Sequence, residues 1–193
     1  GIEVAGRRID GAAVMARVRR ERDRFVGFVL DTVDGWPEAH RLQGRARFLA
    51  PGVLCVNDDL RVNAARIVIA TGATPNIPAG WRERLGDRLI VNDDVFDWTT
   101  LPDSVAVVGT GVVGLELAQA LHRLGVRVRL FGRGGRAGPL TDPAMQSAVK
   151  GWLQTALPYT GNASNLDAHR DGDRVVVEWR DEGQTPRREH FDY

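Results

Sequence analysis

Cysteine is nearly absent: Cys55 stands alone in 193 residues, so neither a disulfide framework nor a cysteine-based zinc cluster can be built within the chain. Net charge is nearly absent too, at +1 from 26 Lys and Arg against 25 Asp and Glu. That removes the bulk electrostatic argument for nucleic acid or an anionic membrane as a partner. No apolar run approaches the roughly 20 residues of a membrane span. The opening GIEVAGRRID lacks the apolar core of a signal peptide, which leaves the cytoplasm as the default compartment. No segment repeats itself. What is present is an ordinary globular composition, 43% hydrophobic and 26% charged, in a chain long enough for one large domain or two small ones.

The most informative stretch is VAVVGTGVVGLE at 105–116. Four apolar residues run into Gly109-Thr110-Gly111-Val112-Val113-Gly114, and an amphipathic run follows at once. This predicts a buried strand, a tight turn and a helix, with strands at 105–109 and 126–131 and the helix over 112–124. Each glycine has its own task. Gly109 permits the turn, Gly111 lets a ligand's phosphates approach the backbone, and Gly114 lets the helix sit close on the strand. The N-terminus of that helix offers free N–H groups and partial positive charge to an anion. With 22 glycines in the chain the motif alone is weak evidence, and a purely structural turn is the bland alternative; the following strand gives it context. In that strand Val126, Val128 and Leu130 alternate with Arg127 and Arg129, the pattern of a half-exposed strand.

Elsewhere, residues 9–33 read as a helix capped by Asp10. Val14, Val18, Phe25, Phe28, Val29 and Val33 fall near one face, and the RRERDR run forms a solvated one. Residues 43–70 switch to short strand-like runs separated by PG, NDD and NAA: a small antiparallel meander, then a buried strand at 67–70. Cys55 lies in the meander and reads as a small buried hydrophobe before it reads as a reactive thiol. Residues 79–104 form a connector whose Trp81, Phe96 and Trp98 anchor either an interdomain contact or a local cluster. Thr141 or Asp142 caps a helix that starts with Pro143 and runs to about Leu157. Residues 166–180 form a hairpin turning at Asp171-Gly172, and EHFDY closes the chain as a strand.

Taken together, IVIATGATPNIP at 67–78, the order meander–ATG–linker–GTGVVGLELAQALHRLGVRVRLF, and the stretch from LPDSVAVVG to GPLTDPAMQ resemble the pyridine nucleotide-disulfide oxidoreductases, dihydrolipoamide dehydrogenases among them. The resemblance covers most of 43–157, and 9–33 resembles the helix ahead of the meander. It implies an α/β fold: a Rossmann-like NAD(P)-binding domain at 103–193, truncated at its C-terminal end, preceded by a connector at 79–102 and by the C-terminal part of an FAD-binding domain (helix plus β-meander) at 1–78. It implies hydride transfer between a nicotinamide dinucleotide and FAD, coupled to a dithiol/disulfide substrate.

By the same resemblance Gly109 to Gly114 hold the nicotinamide dinucleotide, with Glu116 near the flavin–nicotinamide junction. Ala46 matches a backbone contact to the adenosine half of FAD, and Ala70, Thr71, Gly72 and Ala73 form the turn of the family's second FAD motif. The family's first GxGxxG, its CxxxxC pair and its His-Glu dyad have no matching positions here. The chain is therefore expected to be the central segment of a longer flavoenzyme, dimeric through a further domain, with no catalytic residue of its own and no metal. A transhydrogenase, mercuric reductase or glutathione reductase relative is an alternative, and so is a stand-alone nucleotide-binding or redox-sensing module without catalysis.

Cofactor choice turns on the end of the second strand. NAD-dependent relatives carry Glu where this chain has Gly132. Arg133 and Arg136 follow, spaced as in NADPH-dependent relatives, and two guanidiniums suit a 2′-phosphate. This favours NADP over NAD, with two solvated loop arginines as the alternative.

Overall fold

A computed structural model describes Gly6 and residues 8–193. The described residues form two compact units, one of Pro75–Tyr193 together with the chain up to Arg19, the other of Arg20–Thr74.

The first unit is built on a parallel sheet. Strand β4 (Ser104–Val108) pairs with β5 (Arg127–Phe131) in the register Ser104 to Arg127 through Val108 to Phe131, and β5 pairs with the short β6 (Tyr159–Thr160). Parallel neighbours need crossover connections. Helices α3 (Val112–Arg123) and α4 (Pro143–Ala156) supply them. Helix α4 starts as its sequence predicts: the Asp142 carboxylate accepts the Met145 N–H at 2.9 Å, and proline opens the first turn. Val105, Val128 and Leu130 face Ala118, Leu121 and Leu153 in a core that excludes water.

The opposite face carries an antiparallel sheet, β7 (Ser164–Asp171), β8 (Arg174–Arg180) and β9 (Pro186–Phe191), in the order β7-β8-β9. The expected hairpin turn is there, with Gly172 at φ +59°. Phe131 is fully buried with its ring 4.9 Å from that of Trp179, a side chain whose burial contributes about 1.5–3 kcal/mol. The alternation expected in β5 is present: Val126, Val128 and Leu130 are buried, Arg127 is exposed and Arg129 is half-buried, with two bonds to Glu189 of β9 at 3.0 and 2.6 Å and its guanidinium over the Trp179 ring.

The connector folds into short helical pieces. Helix α2 (Trp81–Leu85) buries Trp81 and Leu85 against the antiparallel sheet. Asp167 of β7 fastens it, accepting from Trp81 Nε1 at 3.1 Å and from both Arg84 terminal nitrogens at 2.8 and 2.6 Å. Trp98 packs on Tyr193, centroids 5.6 Å apart. Of the two readings of these aromatics, Trp81 and Trp98 thus fit the local cluster.

The second unit holds the antiparallel meander β1 (Ala46–Ala50), β2 (Val53–Val56) and β3 (Leu60–Asn63). Asn57 and Asp58 turn it at positive φ, where these two residue types are best tolerated. Cys55 is buried. Helix α1 (Gly11–Asp34) contributes its later turns to this unit.

On α1, Phe25, Phe28 and Val29 are more than half exposed. One expectation fails in this unit. Residues 67–70 form no strand, and Val68 and Ile69 are 89% and 71% exposed. A strand exists only where its backbone groups find a ladder, and no described strand lies beside this one.

Candidate functional site

The glycine turn joins β4 to α3. The Gly109 N–H continues the ladder to the Phe131 carbonyl at 2.8 Å, and its φ of +126° is open only to glycine. Gly114 shows the close approach that the motif requires. A Cβ built there would collide with the Gly109 carbonyl oxygen and then reach Val107. Gly111 differs: it has ordinary extended backbone, and a Cβ on it would point into open space above the turn. Gly111 caps α3 without any side-chain bond, and no acid stands in the first turn. The N–H groups of Val112, Val113 and Gly114 therefore point outward with the partial positive charge of the helix end undiminished. Glu116 is exposed on α3. Beside the turn lies a mainly apolar cavity of about 490 Å³, lined by Val105 to Gly109 together with Ile77, Leu89, Arg133 and Tyr193.

The loop after β5 lies against this turn. Gly132 is buried, and a Cβ there would sit 2.7 Å from the Gly161 carbonyl oxygen and 2.8 Å from Thr110 Cγ2. The missing carboxylate is thus accompanied by missing room for one. The Thr110 carbonyl accepts from the Gly138 N–H at 2.7 Å, and its hydroxyl donates to the Arg136 carbonyl at 2.6 Å. Arg133 and Arg136 are exposed, and among the described residues no carboxylate pairs with either. The Arg136 guanidinium donates to Leu140 O at 2.9 Å.

The structure therefore brings Gly109 to Gly114, Gly132, Arg133 and Arg136 together. It does not gather the other group in the same way: Ala46 opens β1 opposite Val56 and is exposed, and Ala70, Thr71, Gly72 and Ala73 lie in an exposed segment without regular structure.

One residue escaped the sequence reading. Gln146 of α4 is buried, accepts from Ala137 N at 3.0 Å, and donates to Ala137 O at 3.0 Å and Leu140 O at 2.7 Å. Its signal was a glutamine on the stripe that continues through Val149, Leu153 and Leu157, a core-facing spacing. No cluster of His, Cys, Asp or Glu among the described residues could hold a metal ion. No helix among them is long and apolar enough to cross a membrane.

Comparison with known proteins agrees with this geometry. The model of the family described as pyridine nucleotide-disulphide oxidoreductase matches residues 23–176. The chain belongs to that family. Its members are FAD- and NAD(P)-dependent oxidoreductases in general. The chain is 31% identical over 151 residues to the soluble pyridine nucleotide transhydrogenase of Mycobacterium tuberculosis, covering 74% of this chain and 31% of that protein. The mercuric reductase of Bacillus cereus is 30% identical over 143 residues, 71% of this chain and 22% of its own length. The dihydrolipoyl dehydrogenase of Bacillus subtilis is 24% identical over 202 residues, 91% and 42%.

Against the first of these relatives the chain spans about a third of the length, 31%. Among solved structures, a Cu(II) complex of a mutant of the HOCl-induced flavoprotein disulfide reductase RclA from Escherichia coli superposes with a TM-score of 0.71 at 18% identity, covering 94% of this chain and 42% of that one. That likeness supports the α/β dinucleotide-binding fold. The resemblance in the sequence and the comparisons name the same family.

Proposed function

We propose that this chain supplies the nicotinamide dinucleotide-binding domain, and part of the flavin-binding domain, of a flavoenzyme that moves hydride between NAD(P)H and FAD and on to a dithiol/disulfide substrate. The observation that carries the reading is the turn itself: Gly109 at a φ only glycine adopts, Gly114 closed on the Gly109 carbonyl, and Gly111 open above an uncapped helix end. The amides of Val112 to Gly114 would hold the pyrophosphate at the helix N-terminus, with the mainly apolar cavity next to it. Bound nicotinamide and flavin supply the hydride chemistry; the residues present hold and aim them.

NADP is the better-suited dinucleotide. Gly132 offers no carboxylate to the adenosine ribose and no space for one, while Arg133 and Arg136 stand beside it with no carboxylate partner among the described residues. Glu116, exposed on α3, would lie near the junction of the two cofactors, as the family resemblance implies. Ala46 would contact the adenosine half of FAD, and Ala70 to Ala73 would form the turn of the second FAD motif. Their exposure leads us to expect weak flavin binding by these 193 residues alone. The whole protein is a soluble homodimer that joins through a further domain.

A second reading has specific support in the 31% identity to a soluble transhydrogenase: both hydride donor and final acceptor would then be nicotinamide dinucleotides. Stopped-flow reduction of the flavin by NADPH, followed by addition of a disulfide or of an oxidised nucleotide, separates the two.

The binding claim is tested by titrating NADPH and NADH against wild type and against Arg133→Ala/Arg136→Ala. The double variant should weaken NADPH by about 1.5–3 kcal/mol per well-formed charged contact, less where solvent screens it, and leave NADH nearly unchanged. Equal loss of both nucleotides would assign the arginines to the pyrophosphate or to the fold.

A further inference from the structure

We propose that Gln146 is a positioning residue for dinucleotide discrimination: it fixes the Leu140 carbonyl that orients the Arg136 guanidinium, and so presets the loop for a phosphorylated ribose. This rests on the reading of Arg133 and Arg136 as a 2′-phosphate site. The loop needs such a device. Gly132, Gly134, Gly135 and Gly138 make four glycines in seven residues, and glycine-rich backbone has the most conformational freedom to lose. A loop of that composition does not hold two arginines in place by itself.

Two handles restrain it. From the turn side, the Thr110 hydroxyl donates to the Arg136 carbonyl and the Thr110 carbonyl accepts from Gly138 N–H. From the helix side, Gln146 uses both ends of its amide. Its oxygen accepts the Ala137 N–H, and its nitrogen donates to the carbonyls of Ala137 and Leu140. Leu140 O is the same oxygen that accepts from Arg136 Nη2. The backbone of Arg136 is thus tied to the glycine turn, and its side chain is tied to an acceptor that Gln146 fixes. Ala137, between them, is fully buried. The platform is firm, because Gln146 sits in the first turn of a helix that is capped by Asp142 and opened by Pro143. The guanidinium ends on a neutral carbonyl, so its charge stays available to an anion.

Gln146 does not itself reach the ligand in this arrangement; it acts through Arg136, and a double-mutant cycle reads that out. Dissociation constants for NADPH and NADH are measured on the full chain as wild type, Arg136→Ala, Gln146→Ala and the combination. Gln146→Ala is expected to weaken NADPH roughly five- to tenfold, the size of one oriented charged contact partly lost, with NADH within about twofold. In the Arg136→Ala background it should have no further effect on NADPH. Gln146→Met keeps the volume without the bonds and carries the same cycle if the alanine variant does not fold.

Equal loss of both nucleotides, or full additivity with Arg136→Ala, would overturn the proposal and leave Gln146 a structural residue. If Arg136→Ala weakens NADPH and Gln146→Ala does not, the positioning role alone falls. If Arg136→Ala leaves NADPH unchanged, the 2′-phosphate reading falls and this inference with it.

Discussion

Three glycines of one motif make three different demands, and substitution separates them. Gly114 has no room for a Cβ, so Gly114→Ala should destabilise the fold by about 1–3 kcal/mol, the usual cost of overpacking, and lower the melting temperature. Gly111 has ordinary backbone and open space, so Gly111→Val should lose only the roughly 1 kcal/mol of a poorer helix cap yet weaken dinucleotide binding by at least about tenfold, because the side chain occupies the approach to the helix N-terminus. A Gly111→Val protein that binds both nucleotides like wild type would remove the pyrophosphate from this turn. The backbone geometry of this turn was legible in the sequence because it is local: a strand, a turn and a helix in fixed order constrain the same few residues wherever they occur. Gln146 was not legible. Its partners are the carbonyls and amide of an irregular loop, and no residue pattern marks where loop carbonyls point.

Elements were legible in their positions and less so in their surroundings. The helices at 11–34, 112–123 and 143–156 and the strands of the meander and hairpin stand close to where periodicity puts them. The alternation in β5 was legible, but alternation reports a polar face without naming its neighbours; here Glu189 and Trp179 meet Arg129 while Arg127 stays exposed. The strand expected at 67–70 failed for the complementary reason, since apolar residues propose a strand and only a neighbour completes it.

The fastening of α2 to β7 belongs to this scale and gives a pH test. Hydrogen bonding from Arg84 holds the Asp167 carboxyl below the usual carboxylate range, opposed by partial burial and assisted by the Ala168 N–H and Trp81. A carboxyl with a depressed folded pKa adds stability above its unfolded value of about 3.9, and that stability disappears as pH falls through the folded value. The pair is about half exposed, so its worth is under about 1 kcal/mol. Melting curves of wild type and Asp167→Asn should differ modestly at pH 6 and converge below about pH 4. A gap that widens on acidification would contradict the assignment.

For the molecule as a whole, burial is unequal. The first unit closes two cores around the parallel sheet, whereas the second presents Phe25, Phe28, Val29, Val68 and Ile69 to solvent. Exposed apolar surface of this extent marks an interaction surface or an aggregation liability. We expect the folded chain to bind the dye ANS and to self-associate with concentration. Replacing Val68 and Ile69 together by serine should reduce both effects while shifting the melting temperature little, since neither side chain is buried. A large fall in melting temperature would show that these residues are covered in the folded chain.

The central claim, that the β4–α3 turn is the dinucleotide site, is tested most directly by amide chemical-shift mapping of the folded chain during titration with NADPH. The account predicts saturable shifts largest at Gly109 to Leu115 and in the 132–138 loop, with NADH reproducing the first set and moving the loop less. Saturable shifts centred elsewhere, with the amides of Val112 to Gly114 unmoved, would contradict it.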